Sequence, residues 1–335
     1  MIKPIFSLIS HRSVKALQYR TIITTTKPNV WVVTNGGIES TLQAATIGKH
    51  LGNLTVKTIV STPLLRLFPL VIQKYIVDWG LKRKKENGLK KLPWYLEGND
   101  DQLDGPLPDY VVCSGDDAVP GCLQVIKSFP SKHPFSVFLG FTNLPFIHFD
   151  QVVIPKYEAN VKMAKLGPLA QQKNCIVTEA PIVDSSLWPM SPKSKKVYTD
   201  LLHHLSFQNN SDLTVIVIGG HTSQCRWYTE NALNLVDNMK RMVTQLDTNL
   251  LVIYTERTTP LIKTTIQKNI NKSIPDHATR VVTWDSTISG LNGLEKMEAY
   301  DNLIQQASRV VLTADLDYIT AHATMKSIYY IWWIM

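Results

Sequence analysis

Apolar positions along this chain follow two rhythms that take turns. Short runs of β-branched and aromatic residues end at glycine, asparagine or aspartate. Longer stretches follow in which apolar residues recur every three or four positions. The clearest instance is Val215-Ile216-Val217-Ile218, where four β-branched residues in a row suit a strand covered on both faces. Gly219-Gly220 closes it, and helical spacing runs from Trp227 to about Leu246. Strand, glycine turn and helix make the first half of a βαβ unit, which carries ligand-facing loops at the carboxyl ends of its strands.

The same alternation predicts strands over 30–34, 55–60, 108–115, 135–139, 151–154 and 174–178 in the first half of the chain. Between them, Asn35-Gly36-Gly37 reads as a turn and Ser40 as the N-cap of a helix reaching Leu51. Residues 63–79 have helical spacing that Pro69 should kink or divide. Asp116 to Pro120 opens a helix through Ser128, its acids and proline suited to a first turn rather than to a metal or a general base. The second half predicts strands over 214–218, 249–254, 280–283 and 309–312, with helices over 227–246, 261–270 and 294–306. Residues 327–335 read as one more buried strand.

Residues 181–197 hold three prolines with serines and lysines in no period, as a linker would. The predicted fold is therefore α/β. Two Rossmann-like, doubly wound parallel-sheet domains, 28–180 and 198–335, face each other across a cleft. A length of 335 residues is enough for two such cores.

Composition narrows the function classes. No run of eighteen apolar residues exists, so a membrane-spanning helix is not expected. The four cysteines form no CxxC or Cys/His pair, and read as reduced thiols rather than disulfides or a metal site. The formal charge of +8 is concentrated in two places. Residues 1–38 carry five basic residues and no acid, and residues 82–91 carry six basic residues against Glu86. The remaining body is near neutral, unlike a nucleic-acid-binding face. Residues 1–27 have the composition of a mitochondrial transit segment, with a disordered basic tail of a cytosolic protein as the alternative. The Lys82–Lys91 run, flanked by Trp79, Trp94 and Tyr95, is either a solvated loop or a peripheral contact with an acidic membrane.

Candidate chemistry gathers at the predicted strand ends. Gly219 and Gly220 would offer turn amides, and Arg226 a guanidinium for bidentate phosphate recognition, unless Arg226 pairs with Glu230 one turn on. His221 could reach a phosphate or act as a base, against the plainer role of a loop histidine satisfied by a neighbouring carbonyl. Thr222 and Ser223 share that loop, and Arg257-Thr258 would approach from the next strand end. Asp315 could meet a ribose hydroxyl or cap the helix that follows. Gly36, Gly37, Ser114 and Gly115 would face the cleft from the first domain, though turn geometry alone accounts for the glycines. No Walker, HExxH, GxGxxG or Ser/His/Asp arrangement appears in a supporting context.

These segments in this order carry a resemblance. Asn35-Gly36-Gly37 with Gln43, Pro108-Asp109 with Ser114-Gly115, and Phe149-Asp150 with Val153-Ile154-Pro155 lie in the first half. Ile218-Gly219-Gly220 with Thr222-Ser223 and Cys225-Arg226, then Arg257-Thr258 with Pro260, Trp284-Asp285 and Thr313-Ala314-Asp315 lie in the second. Together they resemble the mitochondrial fission family of the plant "elongated mitochondria" type, whose members look like GT-B glycosyltransferases. The resemblance implies a mitochondrial location, on the outer surface or in the matrix. It also implies a GT-B-like scaffold, non-catalytic, that helps recruit a dynamin-related GTPase, with no cofactor and no metal. The alternative it implies is a metal-independent glycosyltransferase holding a nucleotide-sugar. The chain departs from plant-like members at Asp116, where they carry a basic residue, and at Lys156-Tyr157-Glu158, where they carry Arg-His-Asp. It departs again at Leu316 to Tyr318 and His322, where the family has a serine and then an acid. The family also continues beyond the position of Met335 with a glycine-rich turn and a helix, so the second domain is expected to be incomplete.

Overall fold

The computed structural model describes residues 27–83, 92–98, 103, 105–129, 133–162, 173–205, 212–222, 225–274, 276–326 and 329–333. Two sheets organise them. The first has seven strands: β1 (Asn29–Thr34), β2 (Asn53–Ser61), β3 (Leu96–Gly98), β4 (Tyr110–Ser114), β5 (Phe135–Leu139), β6 (Gln151–Pro155) and β7 (Cys175–Thr178), in the order β3-β2-β1-β4-β5-β6-β7. Only β3 runs antiparallel, pairing Leu96 with Ser61 and Gly98 with Ile59. The second sheet is wholly parallel, in the order β10-β9-β8-β11-β12, from β8 (Leu213–Ile218), β9 (Asn249–Tyr254), β10 (Val281–Asp285), β11 (Arg309–Thr313) and β12 (Tyr329–Trp333). In both sheets the order reverses beside the first strand, between β1 and β4 and between β8 and β11. Such switch points leave an open crevice at the carboxyl ends.

Strand alternation decides which helix covers which face. Val30 and Val32 pack with Ala44 and Ile47 of α1 (Ile38–Leu51), while Trp31 and Val33 point to the other face with Leu123 and Ile126 of α4 (Val119–Ser128). Pro69 divides its stretch as expected, leaving α2 (Pro63–Arg66) and α3 (Leu70–Arg83). The helix after β1 starts at Gly37 rather than Ser40, whose hydroxyl donates to Asn35 Oδ1 and steadies the turn instead. After β6, α5 (Lys156–Lys162) leads towards β7.

The stretch 181–197 is not wholly irregular. α6 (Pro192–His203) begins inside it, capped by Ser191 with proline in the first turn. Glu298 of α10 (Gly293–Gln306) accepts from the Ser191 amide at 2.8 Å and the Ser194 hydroxyl at 2.7 Å, which fastens this segment to the second domain. α7 (Thr229–Gln245), α8 (Pro260–Ser273), the single turn α9 (His277–Arg280) and α11 (Asp317–Met325) complete that domain. β12 lies in parallel register with β11, Arg309 opposite Tyr329, so the strand expected over 327–335 forms. Among the described residues no helix is long and apolar enough to cross a membrane. The basic leader lies outside the described residues, apart from Lys27, and so do positions 84–91 of the second basic run.

The domains meet through α1. Ile38, Leu42 and Ala45 belong to the same buried cluster as Leu291, Met297 and Tyr300 of the second domain. Gly293 at the start of α10 sits so close to Gly36 that a methyl on it would lie 3.0 Å from the Gly36 Cα.

Candidate functional site

Strand ends from both sheets converge on a cavity of about 210 Å³. The loops after β1, β4 and β5 bring Asn35, Ser114, Gly115 and Gly140, and the loop after β9 brings Glu256 and Arg257. Glu39 and Gln43, one turn apart on α1, line it together with Tyr318 of α11. Ser114 donates to Gln43 Oε1 at 2.9 Å and holds the amide in place.

Arg257 is the hub. Its Nη2 lies 2.8 Å from Glu39 Oε2 across the domain boundary and 3.3 Å from Asp315 Oδ2 within its own domain, and it donates to the Asp315 carbonyl at 2.8 Å. Glu39 takes a further bond from the Tyr318 amide at 3.0 Å. Burial pushes the Glu39 carboxyl up to about 7, against the pull of the Arg257 guanidinium. Beside them Tyr157 donates to Asp317, whose carboxyl burial also raises, so α5 and α11 form a second contact between domains.

The glycine pair has a definite duty. Gly220 N–H donates to Asp315 Oδ2 at 2.8 Å and Gly219 N–H to Thr313 Oγ1 at 3.0 Å, while Thr313 Oγ1 donates to Asp315 Oδ1 at 2.6 Å. A methyl on Gly219 would lie 1.9 Å from Asp315 Oδ2, and one on Gly220 would lie 1.9 Å from the Arg257 carbonyl oxygen. The turn is glycine because a carboxylate and a neighbouring backbone press against it. An amide turn of this kind suits an anion, and here the protein supplies its own.

The charge of the cavity agrees. Four carboxylates line it, Glu39, Asp116, Glu158 and Glu256, against the single guanidinium of Arg257. At about 5 Å and an effective dielectric near 20, each ionised carboxylate other than Glu39, which burial holds partly protonated beside Arg257, would repel a phosphate charge by roughly 3 kcal/mol. Among the described residues no group of three or more His, Cys, Asp or Glu could hold a metal ion that would offset this.

Residues 37–316 match the family described as Mitochondrial fission ELM1. The chain belongs to this family. No curated protein matches the sequence. Among solved structures, a family 9 glycosyl transferase from Veillonella parvula DSM 2008 is 10% identical with a TM-score of 0.42, covering 93% of this chain and 83% of that one. UDP-GlcNAc 2-epimerase from Methanocaldococcus jannaschii is 9% identical with a TM-score of 0.44, covering 91% of this chain and 83% of that one.

The expected site residues of this ELM1-family chain fall in different places. Ser114, Gly115 and Arg257 line the cavity, and Asp315 stands behind Arg257. Gly36 and Gly37 lie at the domain contact, where a methyl on Gly37 would meet Glu256 Oε1 at 1.9 Å. Gly219, Gly220 and Thr258 are buried in support, Thr258 donating to the Ile218 carbonyl at 2.7 Å. His221 is exposed and accepts from the Trp227 amide at Nδ1, 3.0 Å away, so the ring is held by a backbone donor rather than by a carbonyl. Thr222 Oγ1 closes its loop by accepting from the Cys225 amide at 2.9 Å, Arg226 is exposed outside the cavity lining, and Ser223 lies outside the described residues. The expectation did not include Asn35, Glu39, Gln43, Glu256 or Tyr318. The spacing of Glu39 and Gln43 on one face of the helix after a glycine turn was the available signal.

Proposed function

We propose that this ELM1-family chain serves mitochondrial fission as a non-catalytic, GT-B-like scaffold that helps bring a dynamin-related GTPase to the outer surface of the organelle. The single observation that carries the non-catalytic part is the Asp315 carboxylate on the Gly220 amide, with Arg257 drawn between Asp315 and Glu39. A nucleotide-sugar needs those donors for its diphosphate, and it would have to displace two carboxylates and enter a cavity lined by others. The family supports the fission part. Two domains joined by a buried contact fit the task of presenting a surface.

The test has two arms. Thermal-shift titration with nucleoside diphosphates and their sugar conjugates should give no saturable stabilisation, and a saturable rise would overturn the non-catalytic reading. Deletion of the gene should leave elongated, undivided mitochondria with less dynamin-related GTPase on their surface. Restoration by an Arg226→Ala chain is expected, because Arg226 lies outside the cavity. Normal organelle shape in the deletion strain would overturn the fission reading.

A further inference from the structure

Helix α3 packs one apolar row, the fully buried Val77 with Leu70, Ile76 and Leu81, on the core of the first domain and leaves a second apolar row in solvent. The side facing the protein carries Gln73, which accepts from the Ser61 hydroxyl at 2.9 Å and donates to the Phe68 carbonyl at 2.7 Å. Asp78 on the same helix is drawn in by Lys74 at 3.1 Å and by Lys127 of α4. Gly80 lets the Tyr95 ring lie against the helix, since a methyl there would come within 2.6 Å of the Tyr95 hydroxyl. The side facing solvent carries Val71, Ile72, Tyr75 and Trp79, each more than 40% exposed. The preceding turn extends the stripe with Leu64, Leu67 and Phe68, Leu67 at 78%, and Trp94 beside Tyr95 is 63% exposed.

Scattered apolar residues on a surface need no explanation, but a continuous stripe of this kind does. It is not part of the domain contact. α3 shares its buried cluster with α4, on the face of the first sheet opposite the one α1 covers, and α1 is the helix that meets the second domain. Charge tells what covers it. From Pro63 to Val77 the sequence has Arg66 and Lys74 and no acid, and Asp78 is consumed by its two lysines. The exposed stripe ends in Lys82, and the sequence runs on as Arg83-Lys84-Lys85. Arg66 is paired with Glu97 at 3.5 Å, so the net basic charge lies at the Lys82 end of the stripe; aliphatic residues with tyrosine and tryptophan beside such an end match the boundary between acyl chains and anionic headgroups. At about 1.5 Å per residue the helix is roughly 21 Å long, too short to cross a bilayer and suited to lying in its surface.

We propose that the α2–α3 face is a peripheral binding surface for anionic lipid bilayers, with the stripe from Leu64 to Trp79 entering the headgroup boundary and Lys82 meeting the lipid phosphates. The orientation leaves the second domain and the cleft free. It stands apart from the fission reading, since it rests on the surface alone.

Flotation of the full chain with phosphatidylcholine–phosphatidylserine vesicles, against phosphatidylcholine alone, tests this. Binding should require the anionic lipid and weaken as salt rises. Tyr75→Ser with Trp79→Ser should lower the partition coefficient by at least about tenfold, and Lys82→Glu, which leaves the apolar stripe whole, by several-fold. Both variants should melt close to the temperature of the parent chain, because Tyr75, Trp79 and Lys82 are all exposed. Absence of binding to anionic vesicles, or binding unchanged in the serine variant, would overturn the proposal. So would light scattering that shows a dimer abolished by the serine substitutions without any vesicle binding, since the stripe would then be an interface between copies.

Discussion

If the Asp315 carboxylate fills an anion cradle, then Asp315→Ala should both weaken the fold and open the cradle. The native side chain is fully buried and has three partners: the Gly220 amide, the Thr313 hydroxyl and the Arg257 guanidinium. Removing it leaves a buried N–H unpaired, which costs about 1–3 kcal/mol. It also leaves Arg257 held only by Glu39 and a carbonyl. Breaking a buried pair from one side typically costs about 3–5 kcal/mol, and that figure already includes part of the amide's loss. For a chain of this size the sum should lower the melting temperature by on the order of 10 °C.

The informative arm is rescue. In the alanine variant, inorganic phosphate should bind where the carboxylate stood, held by the Gly220 amide and Arg257, and raise the melting temperature in a saturable way. The parent chain should not respond, nor should Asp315→Asn, which keeps the cradle filled while losing the charge. A loss below about 1 kcal/mol in the alanine variant would refute the claim that Asp315 holds this turn. Equal phosphate response in parent and variant would refute the claim that it blocks an anion site.

Three further outcomes follow from the same geometry. Gly220→Ala should destabilise more than Gly290→Ala by chemical denaturation, since the first methyl meets the Arg257 carbonyl at 1.9 Å while the second meets nothing within 4 Å and carries only the strain of φ +68°. Because burial raises the Glu39 carboxyl to about 7, its contribution to stability is full below the unfolded value near 4.5 and is lost as pH rises through 7; Glu39→Gln should flatten that decline, on the order of 2 kcal/mol, in melts taken between pH 5 and 8. Asp301 is fully buried between His322 at 3.0 Å and Lys326 at 2.9 Å, which hold its carboxyl below the usual range, so Asp301→Asn should cost about 3–5 kcal/mol at neutral pH and progressively less as acid protonates the parent.

The frame of this fold was readable because parallel strands buried on both faces announce themselves. Val215 to Ile218 and Leu250 to Ile253 are β-branched or leucine throughout, and no polar residue interrupts them. β3 was not readable: Leu96-Glu97-Gly98 is three residues long, and it is a strand because the β2 edge offers partners, which is a tertiary fact. The site was half readable for a similar reason. Glycine pairs and strand-end charges mark where loops must turn sharply, but they do not say what presses into the turn. Gly219-Gly220 looks the same in sequence whether a phosphate or Asp315, 95 residues further on, fills it. The exposed row of α3 was hidden because helical spacing does not say which of two apolar rows meets the core and which stays in solvent.

The contacts across the cleft make one further point about how the two domains are held. A cleft that binds and releases a ligand uses the ligand to bridge its walls, and its empty walls repel or stand apart. Here the bridge is internal: Glu39 of the first domain reaches Arg257 of the second, the Tyr318 amide returns to Glu39, and Lys296 donates to the Gly36 carbonyl at 3.4 Å. The close approach of Gly293 to Gly36, and of Gly37 to Glu256, leaves little room for rocking at that point. Each of these contacts holds the two domains together without a ligand, and separating them there must break an ion pair. Such contacts oppose movement of one domain against the other. That is what the α2–α3 face requires if lipid held on one side is to set the position of the second domain above it.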